Sequence, residues 1–270
     1  MLAALLALAL SAGDNWRTDR AWYDGQAEVA VYEAEREVYG EVRHYRASVY
    51  TNKEMVDPRT ACKSEDGKGL EVFKQHWRER IPTPNYDYDY STMSYTLASD
   101  LAPFKLTMSS QEDCGSSLKE IWRDEEGRFV WNSSNYFPGG GNKSGRLGTP
   151  KNLAFEDALP LALRGYDFEH PAERTFALVL FQRFNIATKL EPVEAHLRYA
   201  GKRELDLPIG KLEAHELTLF DEKDARLASY WFAADATAPR LHVLVQWERP
   251  AQKIRFRLAA LERKAYWKRA

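Results

Sequence analysis

The chain has 270 residues, of which 44% are hydrophobic and 29% charged, and its formal net charge is −2. This length is sufficient for one large β domain or two smaller ones, with a substantial hydrophobic core. Such a balanced charge excludes a dedicated nucleic-acid-binding protein, which carries a clear excess of Lys and Arg.

The first segment in chain order, residues 1–13, has no charged side chain and ends in Ser11, Ala12 and Gly13. A short apolar run that ends in small residues is typical of a cleaved signal peptide and is too short to span a bilayer. We therefore predict an exported, periplasmic protein with no transmembrane span in the mature chain. The alternative is an apolar helix packed on the domain, because no Lys or Arg precedes the run.

The first half of the chain alternates between apolar and polar residues, which is typical of strands with one buried face. One interruption is the spacing of Leu70, Phe73 and Trp77, which predicts one or two helical turns. The alternating segments are 27–32, 40–51, 86–90, 105–109 and 129–131.

The second half shows short, evenly spaced strands separated by turn residues, the pattern of an antiparallel meander. We predict a turn at Gly201-Lys202 and another at residues 221–224, and the last strand is basic. The predicted strands are 193–199, 205–209, 211–220, 228–232, 241–247 and the segment from Lys253 onward.

Helix signals are few. Apolar residues at helical spacing between Phe155 and Gly165 predict a short helix, which Pro160 shortens or kinks. The predicted fold is mainly β: a strongly curved antiparallel sheet or half-barrel, with one or two short helices against its concave side. Residues 14–270 are predicted to form a single β-rich domain, with a seam near residues 138–150.

No motif in the sequence supports catalysis, and no catalytic residue is predicted. The Gly-rich stretch 139–144 lacks the Gly before Lys143 and the following helix that a phosphate-binding loop needs. The six histidines are dispersed and have no zinc-binding spacing, so we predict no metal site and no cofactor.

Cys62 and Cys114 are the two cysteines. In an oxidising compartment they are a candidate disulfide, and closing so long a loop stabilises a fold by about 4 kcal/mol. The alternative is two unrelated thiols, because the sequence does not show whether their Cβ atoms meet.

Three short segments in the first 60% of the chain carry a family resemblance. They are Val38-Tyr39-Gly40-Glu41-Val42-Arg43, Thr51-Asn52-Lys53-Glu54, and Ser109-Ser110-Gln111-Glu112-Asp113-Cys114-Gly115 with Ile121-Trp122. Together they resemble an uncharacterised family of exported bacterial proteins, some of them mislabelled as septum-formation inhibitors. Two departures are Asp113, where the family has Trp, and the residues that separate Thr51 from Glu54. The C-terminal half is similar to periplasmic half-barrel domains of unknown function that resemble the lipoprotein carriers LolA and LolB. The resemblance implies an envelope location and a half-barrel architecture.

The same segments supply candidate binding residues. Glu41, Arg43, Gln111, Glu112 and Cys114 are predicted to form a polar site at one end of the sheet. The alternative is a structural network of hydrogen bonds and ion pairs that ties the strands together.

Two further pairs are candidates. Trp231 and Trp247, on adjacent predicted strands, either line a ligand cavity or belong to the core. Arg255 and Arg257 either form a basic patch for anionic lipid head groups or lie on a solvated strand face.

The function predicted from these features is a non-enzymatic envelope protein that binds a hydrophobic ligand, a lipid or a lipidated partner inside the curved sheet. One alternative is an envelope scaffold or protein-interaction module. A second alternative is a hydrolase, which requires a nucleophile and a base within hydrogen-bonding reach.

Overall fold

The computed structural model describes residues 16–148, 150–186 and 188–267. Most of this chain forms one large, open and strongly curved sheet of 16 strands, so the mainly β prediction is confirmed. The strands are β1 (Ala27–Val38), β2 (Glu41–Asp57), β3 (Cys62–Lys63), β4 (Leu70–Ile81), β5 (Tyr88–Leu97), β6 (Pro103–Glu112), β7 (Gly115–Arg123), β8 (Phe129–Asn135), β9 (Gly141–Arg146), β10 (Leu153–Phe155), β11 (Arg174–Val179), β12 (Val193–Leu207), β13 (Gly210–Asp221), β14 (Arg226–Ala233), β15 (Leu244–Arg249) and β16 (Ile254–Lys264).

The strand order follows the chain with one discontinuity. From edge to edge it is β10-β11-β12-β13-β14-β15-β16-β1-β2-β4-β5-β6-β7-β8-β9, and β3 pairs with β2 off this path. Neighbours are antiparallel except β10 and β11, which are parallel. The chain therefore crosses from one edge of the sheet to the other between β9 and β10, and the segment 138–150, predicted as a seam, contains edge strand β9.

The short helices predicted near Pro160 are confirmed. A 3-10 turn (Glu156–Ala158), helix α1 (Leu159–Ala162) and a second 3-10 turn (Leu163–Gly165) follow one another. Pro160 lies in the first turn of α1, where the missing N–H group has no helical acceptor. Leu159 and Leu163 are buried in the main core together with Trp77 and Trp247, which come from opposite parts of the sheet.

A second segment without regular structure fills the concave side next to these helices. We call residues 180–192 the inner loop, of which residue 187 lies outside the described part of the chain. The Phe181 ring lies 5.3 Å from that of Trp247, and Glu156 and Asp157 accept hydrogen bonds from the backbone N–H groups of Phe181 and Gln182. The centre of the concave side, where the sequence predicts a ligand cavity, is thus packed with side chains.

Buried ion pairs hold the helical segment and the inner loop inside the sheet. Arg183 pairs with Glu79 at 2.7 Å and with Asp157 at 3.0 Å, and all three side chains are buried. Arg249 pairs with Glu156 at 2.7 Å, again away from solvent. Paired and hydrogen-bonded charges are tolerated inside a protein, whereas single ones are not.

Two local predictions are wrong. Residues 70–81 form strand β4 and not helical turns, because Gln75 and Glu79 face inward among apolar neighbours and mask the alternation. Phe73 shares this inward face with Gln75 and is covered by Trp16, whose ring lies 5.2 Å away. Gly201 is also not a turn: β12 continues through it with a bulge, which its φ of +107° permits.

In the described ranges, no helix combines the length and the apolar character that crossing a membrane requires.

Candidate functional site

Four hairpin connections lie at the same end of the sheet, because alternate turns of an antiparallel meander share an end. They join β1 to β2, β4 to β5, β6 to β7 and β8 to β9. We call Tyr39, Tyr86, Tyr88, Glu112 and Cys114, which come from the first three of these connections and their strand ends, the tyrosine rim.

A cleft of about 560 Å³ opens beside the tyrosine rim. Its lining carries four carboxylates and one guanidinium, and Arg80 is paired with Asp87 at 2.6 Å. The register of β5 and β6 places Asp89 opposite Gln111 and therefore brings the acidic ends of both strands together. The cleft is lined by Arg80, Asn85, Tyr86, Asp87, Asp89, Gln111, Glu112 and Asp113.

Glu112 is the buried member of this lining, with 4% of its surface exposed. Its Oε2 accepts a hydrogen bond from Nδ2 of Asn185 at 2.9 Å. Its Oε1 has no hydrogen-bond partner among the described residues. Burial raises the pKa of the carboxyl group, because a charged carboxylate is poorly solvated there.

The hydroxyl groups of the rim tyrosines converge. Tyr39 and Tyr88 share a hydrogen bond, and Tyr86 donates to Sγ of Cys114 at 2.9 Å. The thiol of Cys114 in turn lies 4.0 Å from Oε2 of Glu112. The hydrogen bonds with Cys114 and Tyr39 raise the pKa of Tyr86, and burial together with the contact to Tyr39 raises the pKa of Tyr88.

Three of the five residues predicted to form a polar site come together here. Gln111 and Glu112 line the cleft, and Cys114 contacts Tyr86 next to it. Glu41 and Arg43 lie at the same end of the sheet, where they form an ion pair with each other at 2.6 Å.

The candidate disulfide between Cys62 and Cys114 is wrong, because both thiols are free. Cys62 lies near the start of β6, since Nζ of Lys105 is 3.4 Å from the carbonyl oxygen of Ala61. Cys114 follows the end of the same strand, whose ten residues span about 30 Å. A disulfide requires Cα atoms within about 7 Å.

Trp231 and Trp247 do not line one cavity. Trp247 is paired with Tyr230, the residue before Trp231, so the two indoles lie on opposite faces of the sheet. Both are almost completely buried. Both belong to the main core cluster, and the guanidinium of Arg203 covers the Trp231 ring at 5.4 Å.

The basic last strand is partly neutralised by its neighbours. Arg255 pairs with Glu35 on β1 at 2.8 Å, and Arg257 donates to the carbonyl oxygen of Asp206 at 2.7 Å. The acidic face of β1 therefore offsets much of the positive charge that the sequence concentrates in β16.

Sequence reasoning missed Tyr39, Asp87, Asp89 and Asn185 as members of the site. A signal for two of them was present, since Asp87 and Asp89 alternate with tyrosines that point inward. Nothing in the sequence places Asn185, which reaches Glu112 across 73 positions of the chain.

A second cleft, of about 700 Å³, lies near the β10 edge of the sheet, beside β11 and the start of β12. Its lining includes the apolar side chains of Phe176, Pro192 and Val193. Val193 is 40% exposed and so presents apolar surface to this cleft.

Comparisons with known proteins give structural neighbours only. No family model matches the sequence, and no curated protein matches it either. A DUF1329 family protein from Desulfovibrio piger aligns over 94% of this chain and 92% of its own with 10% identity, but its TM-score of 0.28 is too low to support an argument.

The chain is also similar to a beta-barrel-like protein of the domain of unknown function DUF1849 from Brucella abortus. The alignment covers 88% of this chain and 97% of that chain, with 12% identity and a TM-score of 0.52. At this identity the likeness shows the fold alone: a curved, barrel-like sheet shared with a bacterial protein of unknown function.

Proposed function

We propose that this chain is a non-enzymatic binding protein of the bacterial cell envelope, and that the cleft beside the tyrosine rim takes a positively charged ligand. The observation that carries the proposal is the composition of the cleft lining, in which four carboxylates face a single guanidinium. One of those carboxylates, that of Glu112, is buried with an oxygen that lacks a partner.

Each feature of the cleft favours a cation over an anion. Carboxylates in a recess with low-dielectric walls attract positive charge more strongly than they would in open water. The aromatic ring of Tyr86 adds a face on which an ammonium or guanidinium group is stabilised. A phosphate or carboxylate ligand would meet net repulsion in the same place.

Calorimetric titration with spermidine tests this proposal, with citrate as the anionic comparison. We expect spermidine to bind, citrate not to bind, and the affinity for spermidine to fall with added salt. Asp89→Asn together with Asp113→Asn should weaken binding at least about threefold, since exposed charge pairs contribute up to about 1 kcal/mol each.

The matched control removes two exposed carboxylates elsewhere, with Glu65→Gln and Glu222→Gln. It should bind spermidine as the unchanged protein does. Equal loss of affinity in both double variants would refute the cleft as the site, and no heat of binding with spermidine would refute the proposal for this ligand class.

The location in the envelope is part of the proposal and is supported by the apolar leader, residues 1–13, which lie outside the described residues. Expression of the full chain in a bacterium, followed by fractionation and N-terminal sequencing, tests it. We expect a periplasmic product that begins near Asp14. An uncleaved cytoplasmic product would contradict export.

The apolar cleft favours a second candidate, the binding of a hydrophobic ligand or lipid. Since the centre of the concave side is packed, this ligand would bind at the edge of the sheet, against Phe176, Pro192 and Val193. Lipid extraction and mass spectrometry of the purified protein should then find a bound lipid that Val193→Asp removes. A lipid-free protein would contradict this candidate and leave the first one standing.

A further inference from the structure

We propose that the tyrosine rim binds a hard trivalent metal ion, Fe(III), through the phenol oxygens of Tyr39, Tyr86 and Tyr88 and the carboxylate of Glu112. The inference draws on the same negative charge as the proposed function, but it needs no organic ligand in the cleft. It concerns the inner side of the rim, whereas spermidine would meet the outward-facing Asp89 and Asp113.

The first support is the convergence of oxygen donors from three separate parts of the sheet. The hydroxyl groups of Tyr39 and Tyr88 are in contact, the ring of Tyr86 lies 5.7 Å from that of Tyr88, and the hydroxyl of Tyr86 donates to the Cys114 thiol. The chain of contacts continues through Cys114 to Glu112. The hydroxyls of Tyr39 and Tyr88 thus bond to each other, and that of Tyr86 bonds to the thiol beside them, so three phenol groups lie together at one end of the sheet.

The second support is Glu112, whose side chain is more than nine-tenths buried and lines the recess with an unpartnered Oε1. Leaving a buried polar oxygen without a partner costs about 1–3 kcal/mol, and more when the group is charged. A cation bound in the recess would complete its coordination.

The third support is the backbone of the β1–β2 hairpin. Tyr39 and Gly40 form its two-residue turn with φ values of +54° and +77°. Such turns favour Asn or Asp in the first position, because a bulky side chain is strained in the left-handed region. Tyr39 holds this unfavourable position with 65% of its surface exposed, while its hydroxyl points to the buried Tyr88.

The chemistry of the donors selects the type of ion. Three of the four proposed donors are phenol oxygens, and no group of three His, Cys, Asp or Glu side chains in the described ranges is placed to hold a metal. Phenolate and carboxylate oxygens are hard donors, which suit a small, highly charged cation, and tyrosinate is an established ligand of iron. Each tyrosine that binds the ion gives up its phenolic proton to solvent, so uptake of the metal must release protons and weaken as the pH falls.

Titration of the full chain with ferric nitrilotriacetate tests the proposal. We expect a visible absorption band from phenolate-to-iron(III) charge transfer, with protons released in step in a weakly buffered solution. Tyr39→Phe and Tyr88→Phe each remove one hydroxyl and little else, so they should retain the fold and lower the affinity more than about tenfold.

Tyr136→Phe is the matched control. Tyr136 lies in the β8–β9 connection of the same end of the sheet and is 78% exposed, outside the converging hydroxyls. It should leave the band unchanged. Asp89→Asn with Asp113→Asn should keep the band while weakening the binding of spermidine, which separates this inference from the proposed function.

Three results would overturn the inference. They are the absence of the band in the unchanged protein, its persistence in a variant with all three rim tyrosines replaced by Phe, and equal loss in Tyr136→Phe. Thermal unfolding of each variant shows whether a lost band reflects a lost ligand or a lost fold.

Discussion

The side-chain amide of Asn185 donates a hydrogen bond to the carboxylate of Glu112, with 2.9 Å between Nδ2 and Oε2. The carbonyl oxygen of Asn185 accepts a second hydrogen bond from Asn135 at 2.8 Å. One residue of the inner loop thereby connects the end of β6 with the end of β8. The loop that fills the concave side also fixes the geometry of the candidate site.

Replacing Glu112 by Gln is expected to stabilise the protein at neutral pH and to weaken cation binding. Burial raises the pKa of Glu112 above that of an unfolded glutamate, so the folded state holds the proton more tightly. Stability therefore falls as the pH rises through the raised pKa, and below about pH 4 the charge no longer contributes.

Urea unfolding at pH 7 and at about pH 4 measures this effect. Glu112→Gln should unfold at a higher urea concentration than the unchanged protein at pH 7, and the gap should close in acid. An unchanged gap across this range would show that the charge of Glu112 is not the cause.

Arg183→Met is expected to lower the free energy of unfolding by about 3–5 kcal/mol. Removing Arg183 leaves Glu79 and Asp157 as buried carboxylates without their main partner, and a buried charge without compensation is strongly destabilising. Arg78→Met, an exposed arginine on the same strand as Glu79, should change stability by less than about 0.5 kcal/mol. Chemical denaturation of both variants checks the difference, and similar values for the two would contradict it.

The buried Lys119 predicts that the free energy of unfolding depends on pH in the alkaline range. Its Nζ lies inside the sheet, where it donates to the carbonyl oxygens of Gln182 and Phe184 at 3.1 Å, and burial lowers its pKa to about 8. Between about pH 8 and the unfolded lysine pKa of about 10.4, the unfolded state binds more protons, so folding becomes more favourable as the pH rises.

The measurement compares the unchanged protein with Lys119→Met between about pH 7 and pH 10. The free energy of unfolding of the unchanged protein should rise relative to that of the variant, by up to about 1.4 kcal/mol per pH unit. Groups common to both proteins cancel in this difference. Parallel curves would mean that Lys119 is not responsible.

The two cysteines are expected to remain free thiols in the folded protein even under mild oxidation. They lie at opposite ends of β6, too far apart to meet without unfolding. Alkylation without prior reduction, followed by mass spectrometry, should modify both Cys62 and Cys114. A monomer in which Cys62 and Cys114 are joined by a disulfide, and therefore escape alkylation, would contradict the strand register.

The sequence predicts most strands correctly because their inward and outward residues differ in polarity. The β4 segment shows where this fails. Gln75 and Glu79 face inward, where Gln75 bonds to Thr51 and Glu79 to Arg183, so the hydrophobic pattern is broken by polar residues with buried partners. Those partners become visible only when distant strands and the inner loop are in place.

The part of the candidate site whose residues are neighbours in the chain was predictable from the sequence. Gln111, Glu112 and Cys114 are neighbours in the chain, within the segment that carries the family resemblance. Tyr39 and Asn185 enter the site through strand pairing and through the path of the inner loop, which depend on the complete fold. The basic strand shows the reverse effect, since Arg255 reads as a free charge until β1 places Glu35 beside it.

The pairing of β1 with β16 has a consequence for biosynthesis. Ala27 lies opposite Lys264, so the middle of the sheet is joined by the two strands that are made first and last. A nascent chain cannot make this connection until β16 has been synthesised, and closing so large a loop is slow. Until then, the strands on either side form two incomplete half-sheets with unpaired edges. Unpaired edges are prone to aggregate, so we expect a chaperone to bind these intermediates.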